Sequence, residues 1–149
     1  MLGPEDWQAF REVRLAALKE APYAFGSKFD AEVGASEDSW RQRLTGWTRF
    51  AAQVDGRVVG TVGVGHGEFT GSAALTSLWV DPRFRGRGLG SALIEAVVDW
   101  ARERDFSQIL LWVTERNQHA ENLYLRNGFV RTGGEIDEPL REFEMSKRL

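Results

Sequence analysis

Arg85-Gly86-Arg87-Gly88-Leu89-Gly90 joins an apolar, strand-like run to the most regular helical pattern in the chain. Glycines at alternate positions let the backbone adopt dihedrals closed to other residues and approach a ligand closely, and the amides that open a helix attract anions. This is the layout of a phosphate-binding turn. A Walker loop would need Lys and then Ser or Thr after the last glycine, where Ser91-Ala92 stand instead. A Rossmann turn sets its glycines directly on the strand end, whereas Asp81-Pro82-Arg83-Phe84 intervene, and Ser91 stands where the third glycine or alanine belongs. The Walker reading fails and the Rossmann match is partial. What remains locally is another kind of anion site or an ordinary strand-to-helix loop with solvated arginines, and other segments must decide.

Before the loop, Ala74 to Val80 reads as a strand of the kind buried on both faces. After it, Leu89, Ala92, Leu93, Ala96, Val97, Trp100 and Ala101 follow the three-four rhythm of an amphipathic helix. Ile109 to Val113 is a short apolar run, so strand, helix and strand make a right-handed crossover with the two strands parallel. Asn117 to Arg126 reads as a helix closed by Asn127-Gly128, with Asn117 and Tyr124 two turns apart and so able to look toward the same end of those strands.

Further out, Phe50 to Val54, Asp55-Gly56 and Val58 to Val64 form a hairpin signal. Gly60, Gly63, Gly65 and Gly67 mark bulges or close backbone approach on its second strand. Pro4 to Pro22 brackets a first helix, and Ser36 caps a second through about Leu44. The Tyr23 to Ser27 segment is a partly apolar loop, with packing the default and a substrate lid the alternative. Phe129-Val130 opens a further strand, and Arg141 to Met145 closes the chain as an antiparallel one.

At 149 residues and 42% hydrophobic, the chain is expected to form one domain over residues 1–149. Trp40 and Trp47, in polar surroundings, belong either to the core or to a cleft. A net charge of -3 argues against nucleic-acid binding, and the local Arg83, Arg85 and Arg87 cluster suits a polyphosphate. With no cysteine, neither a thiol nucleophile nor a thiolate zinc site is available. His66 and His119 show no metal-ligand spacing, so no metal is assigned. Neither a leader nor a membrane-spanning run is visible, and the expected location is cytoplasmic.

Taken together, these segments resemble the GNAT family of N-acetyltransferases over most of the chain. Val80-Asp81-Pro82 followed by Arg85, Gly88 and Gly90 is similar to the family's coenzyme A pyrophosphate loop. Asn117, Ala120, Leu123-Tyr124 and Gly128-Phe129 resemble its later helix-and-strand signature. The resemblance implies an α/β fold: a mixed, mostly antiparallel sheet with flanking helices and a central pair of parallel strands that splay around acetyl-CoA. It further implies that the main chain of Leu78, Trp79 and Val80 pairs with the pantetheine arm. Arg85, Gly86, Arg87, Gly88, Leu89, Gly90 and Ser91 would form the pyrophosphate site. Asn117 would contact the arm, and Tyr124 would stand by the sulfur as the acid. Members commonly open with a strand before the first helix, but only Met1-Leu2-Gly3 precede Pro4 here, leaving a possible sheet edge for the last strand or a partner subunit to cover.

The implied reaction is direct attack of a primary amine on the acetyl thioester, with acetyl-CoA as co-substrate and no covalent enzyme intermediate. The expected acceptor is a small-molecule or peptide amine, with no nucleic acid or membrane partner, and the chain is expected to be a monomer or homodimer. Main-chain amides of Leu78 to Val80 would polarise the carbonyl. Glu115, Glu68 and His66 are each candidates for the general base. Two other readings stand beside this one, a non-catalytic acyl-CoA sensor and an N-terminal protein acetyltransferase. The second is weakened because Trp112 stands where ribosomal-protein acetylators, which the chain resembles at Arg116-Asn117, carry an acidic residue. Transfer of a longer acyl chain is also open.

Overall fold

The computed structural model describes residues 1–25 and 28–149, apart from the side chain of Tyr23. The Tyr23 to Ser27 segment therefore lies partly outside the described residues; within it, Pro22–Ala24 is a 3-10 turn and Phe25 is buried.

Six strands make one sheet: β1 Thr48–Val54, β2 Arg57–His66, β3 Ser72–Val80, β4 Gln108–Thr114, β5 Val130–Ile136 and β6 Glu142–Arg148. The helices are α1 Trp7–Glu20, the short α2 Phe29–Glu32, α3 Glu37–Gly46, α4 Leu89–Glu103 and α5 Gln118–Arg126. The spatial order is β1-β2-β3-β4-β6-β5, and β3–β4 is the one parallel neighbour pair in it. The expected architecture is thus present: a mixed, mostly antiparallel sheet, flanked by helices, with its parallel pair at the centre. The β1–β2 turn uses Asp55 and Gly56 at φ 52° and 80°, as a two-residue hairpin requires.

Each face of the sheet has its own core. Leu93, Ile94, Val97, Val98 and Ala101 of α4 pack with Ile109, Leu111, Phe129 and Met145 on one side. Phe10, Val13 and Leu18 of α1 pack with Trp40 and Leu44 of α3 on the other. Each aliphatic side chain so enclosed contributes about 1.5–3 kcal/mol relative to exposure. The buried stripe of α4 is broader than its periodicity indicated, for Ile94 and Val98 are enclosed while Ala92 is exposed. Trp40 belongs to the core at 0% exposure.

The β1 edge differs from expectation in two ways. The last strand, β6, lies between β4 and β5 and does not cover the β1 edge. At that edge the Leu2 amide donates to the Arg49 carbonyl at 2.8 Å, so the residues before Pro4 make a single strand-like contact.

The glycines of β2 admit side chains from β1 and from the residue just before it onto one face of the sheet. A methyl built on Gly65 would lie 2.7 Å from Cε3 of Trp47, and one on Gly63 would lie 2.8 Å from Nη1 of Arg49. The indole and the guanidinium occupy the volume that side chains of β2 would otherwise fill. Gly65→Ala is therefore expected to lower stability by about 1–3 kcal/mol, the usual cost of overpacking. The urea midpoint reads this, and an unchanged midpoint would mean that Trp47 moves aside freely.

Candidate active site

Three structural features converge at the carboxyl end of the parallel pair. The first is the glycine loop. Gly86 and Gly88 have φ of 78° and 81°, the left-handed region that favours glycine, with no atom within 4 Å of a methyl built on either. Gly88 is the N-cap of α4; no side chain caps it, and no acidic residue lies in the first turn. The opening amides of a long helix are thus left for an outside anion. Gly90 serves packing, since a methyl there would fall 2.7 Å from Cδ2 of Leu123 on α5.

The arginines around this loop divide their work. Arg83 is held by Asp81, 2.8 Å from Nη2 to Oδ2, and its hydrogen bonds keep the Asp81 carboxyl below the usual carboxylate range. The loop cleft itself is lined by Arg85 and Arg126. Arg85 donates from Nε to the Val80 carbonyl at 2.9 Å and from Nη2 to Glu20 at 3.3 Å. Arg87 lies over the Phe84 ring, 5.2 Å from its centroid. Two neighbours escaped the sequence reading: Arg126 lines the loop cleft, and His119 lines both that cleft and the adjoining one. Partial burial, then Arg85 and Arg126, hold His119 below its ordinary pKa. Their position on α5 was legible, but the approach of α5 to the loop was not.

The second feature is the splay. β3 and β4 pair only at Ser72↔Gln108, Ala73↔Ile109 and Ala74↔Leu110, after which the ladder ends. On the other side of β3 a register shift opposite Thr61 to Gly63 marks a bulge, where Ser77 takes φ 54°. A non-glycine residue there stores of the order of 1 kcal/mol of strain, and the bulge bends the strand away from β4. Past the bulge, Asp81 donates to the Val59 carbonyl of β2 while the Val80 carbonyl faces Arg85. Strand alternation then leaves Leu78 and Val80 with main-chain groups toward the splay, and turns those of Trp79 toward β2. The Trp79 side chain instead anchors α1, with Nε1 donating to Glu20 at 2.8 Å.

Leu78, Val80, Arg85, Asn117, Ala120 and Leu123 line one cleft at the open end. Asn117 is the N-cap of α5, its Oδ1 accepting from the Ala120 amide at 3.3 Å. Tyr124 sits one turn beyond Ala120, its ring buried against Phe129 with centroids 5.8 Å apart. Burial raises its pKa well above the ordinary value for tyrosine.

The third feature is a cavity of about 460 Å³ on the opposite face of the parted strands. Trp47, Phe69 and Trp112 supply aromatic walls, and Arg14, His66, Glu68, Glu142 and Glu144 supply charge or hydrogen bonds. Of the sequence candidates for a base, His66 and Glu68 line this cavity. Glu115 does not, and pairs instead with Arg141 at 3.5 Å. Glu142 and Glu144 were missed, since only the pairing of β6 with β4 brings them to the cavity. Glu144 accepts a hydrogen bond from Thr132 at 2.6 Å, whereas Glu142, opposite Thr114, has no hydrogen bond or ion pair among the described residues. Burial raises the pKa of Glu142. Among the described residues no group of three or more His, Cys, Asp or Glu is placed to hold a metal ion. None of their helices is long and apolar enough to cross a membrane.

Comparison with known proteins agrees with this geometry. The family model described as Acetyltransferase (GNAT) family matches residues 10–129, and the chain belongs to that family. It is 31% identical over 106 residues to N-acetylaspartate synthetase of Danio rerio, a match covering 71% of this chain and 38% of that protein. It is 32% identical over 104 residues to streptothricin acetyltransferase of Streptomyces lavendulae, covering 70% of this chain and 53% of that one. The chain thus spans about two-fifths to one-half of the length of these relatives. A crystal structure of a GNAT-family acetyltransferase from Streptococcus pneumoniae superposes with a TM-score of 0.79 at 22% identity, covering 99% of this chain and 96% of that one. The PaiA N-acetyltransferase of Thermoplasma acidophilum, solved in complex with coenzyme A, gives 0.79 at 17% identity, covering 99% and 96%.

Proposed function

We propose that residues 1–149 act as a single N-acetyltransferase domain that moves the acetyl group of acetyl-CoA directly to a primary amine. The observation that carries this reading is the parallel ladder that ends after three pairs beside an uncapped, glycine-lined helix start. The residues fit the donor: Gly86 to Ser91 would hold the pyrophosphate, with Arg85, Arg87 and Arg126 around it. Leu78 and Val80 would pair with the pantetheine arm, and Asn117 would contact it. The amine would enter from the cavity on the other face.

In this proposal the acceptor loses a proton to Glu142, a C–N bond forms as the C–S bond breaks, and coenzyme A leaves as the thiol. A primary amine with a reference pKa of about 10 is almost wholly protonated at neutral pH, so a base is needed. Glu142 is the favoured base because its carboxylate is unengaged among the described residues and its raised pKa makes it more basic than an ordinary glutamate. Its activity should fall as pH drops through that raised pKa. Main-chain amides at the bulge would polarise the carbonyl, and Tyr124 would act on the leaving sulfur.

Thiol release from acetyl-CoA across a panel of primary amines tests the proposal. Amine-dependent release is the expected result, with Glu142→Gln lowering turnover by about a hundredfold, within the usual range for a general base. A chain that bound acetyl-CoA but released no thiol with any amine would be a sensor instead.

A further inference from the structure

The cavity assigned to the acceptor carries both signs of charge. Glu142 and Glu144 reach it from β6 and Glu68 from the turn after β2, whereas Arg14 lines it beside Ser77 of the bulge on β3, donating to that hydroxyl at 3.4 Å. Behind Arg14 lies a buried cluster. Arg14 donates from Nε and Nη2 to the two carboxylate oxygens of Glu32, each at 3.1 Å, and Arg43 reaches the same carboxylate at 2.7 Å. Arg49 completes the group. Its guanidinium lies over the Phe10 ring, 5.0 Å from the centroid, close enough to feel the charges of Arg14, Arg43 and Glu32.

Arg14 and Arg43 thus pair with one buried carboxylate, and Arg49 feels its charge without bonding to it. Among the described residues, Nε and Nη1 of Arg49 are buried without a hydrogen-bond partner. Gly63 makes room for this arrangement, since a methyl there would lie 2.8 Å from Nη1 of Arg49 and 2.7 Å from Oγ1 of Thr76, which lines the cavity. Arg49 thus stands directly behind the cavity wall. Burial and the other arginines lower its pKa to about 10, so it remains a cation at neutral pH. A buried cation outnumbered by like charges and without a hydrogen-bonded anion of its own is costly, and a ligand anion placed beside it would relieve the cost.

We propose that the amine acceptor carries a carboxylate bound at Arg14, accepting a hydrogen bond from it while Arg49 adds charge from behind Thr76. Its amine is then directed toward Glu142. Glu32 occupies the Nε–Nη2 edge of Arg14, so the acceptor carboxylate would meet the guanidinium at Nη1, beside Ser77, through a charge-assisted hydrogen bond. A simple amine without an anionic group would be repelled from Arg14 and gain nothing from Arg49. This inference rests on the acetyltransfer reading, because it takes the cavity to be the acceptor site.

The test uses matched acceptors, a panel of α-amino acids each paired with its carboxamide. A carboxylate raises the pKa of its neighbouring ammonium, so intrinsic reactivity favours the amide and a preference for the acid must come from binding. The expected result is a kcat/KM for the best acid at least about tenfold above that of its amide, the scale of one well-placed charge pair. Arg49→Met removes the charge without breaking any side-chain hydrogen bond, so the fold should hold. It should raise KM for acids about tenfold and leave kcat and the amide constants unchanged. Arg14→Gln should remove the preference altogether. Equal constants for acid and amide, or equal losses for both in Arg49→Met, would overturn the proposal. If no amine releases thiol, the acetyltransfer reading fails; calorimetric titration of the acid and the amide in the presence of coenzyme A then decides this one separately. Acid-selective binding upholds the carboxylate site and its absence overturns it.

Discussion

Gly88→Asp is expected to abolish acetyl-CoA binding while leaving the protein folded. The backbone at Gly88 has φ 81°, which aspartate tolerates better than most residues, and aspartate is a favoured N-cap. With open space around the position and no existing cap, the new carboxylate has room and available amides. Those amides are the donors proposed for the pyrophosphate, so the variant would both occupy them and repel the ligand. Loss of two charge-assisted hydrogen bonds at about 1.5–3 kcal/mol each corresponds to at least about a hundredfold weaker binding. Titration calorimetry reads the loss, and thermal unfolding should show a midpoint lowered by no more than the roughly 1–2 kcal/mol that a non-glycine residue costs at this φ. Gly88→Ala, which strains the backbone without adding charge, should weaken binding far less. Undiminished binding by the aspartate variant would remove the loop from the site.

Tyr124→Phe is expected to lower turnover by about ten- to a thousandfold with little change in stability or in the KM for acetyl-CoA. The ring and its packing on Phe129 are retained, and the hydroxyl makes no hydrogen bond among the described residues. Because burial raises its pKa, Tyr124 stays protonated throughout the working range. A thiol of reference pKa about 8.5 is a stronger acid than such a phenol, so the hydroxyl is expected to stabilise the departing thiolate by donating a hydrogen bond, with final protonation from water. The loss should therefore be constant from about pH 6 to 9, since no ionisation of Tyr124 falls in that window. A variant that acetylated its best amine at the parent rate would exclude Tyr124 from the chemistry.

Local signals carried most of the fold into view. The Asp55-Gly56 turn, the Ser36 cap and the unbroken periodicity after Leu89 each state their conformation within a few residues, and all three stand as read. What escaped depends on partners distant in sequence. The face of β2 bearing Gly63 and Gly65 is explained only by Arg49 and Trp47 lying on it. Glu142 becomes a candidate base only when β6 slots between β4 and β5, and no local pattern marks a strand for an interior place. Glu115 ended its strand as foreseen, but Arg141 claims it. The loop arginines looked alike in sequence, yet Asp81 binds Arg83, while Arg87 has no ion pair among the described residues.

The early end of the β3–β4 ladder means that this sheet has an edge in its middle. Edges at the rim of a sheet invite strands from other chains and are commonly protected by charge, proline or short length. Here the main chain of Leu78 and the amide of Val80 lie in a gap between strands that stay joined at Ala74 and Leu110, closed at one end and flanked by the same sheet on both sides. A slender, extended amide chain needs less room in such a gap than a strand that carries side chains. The gap can therefore remain open for hydrogen bonding without exposing the protein to the self-association that an equally bare outer edge would risk.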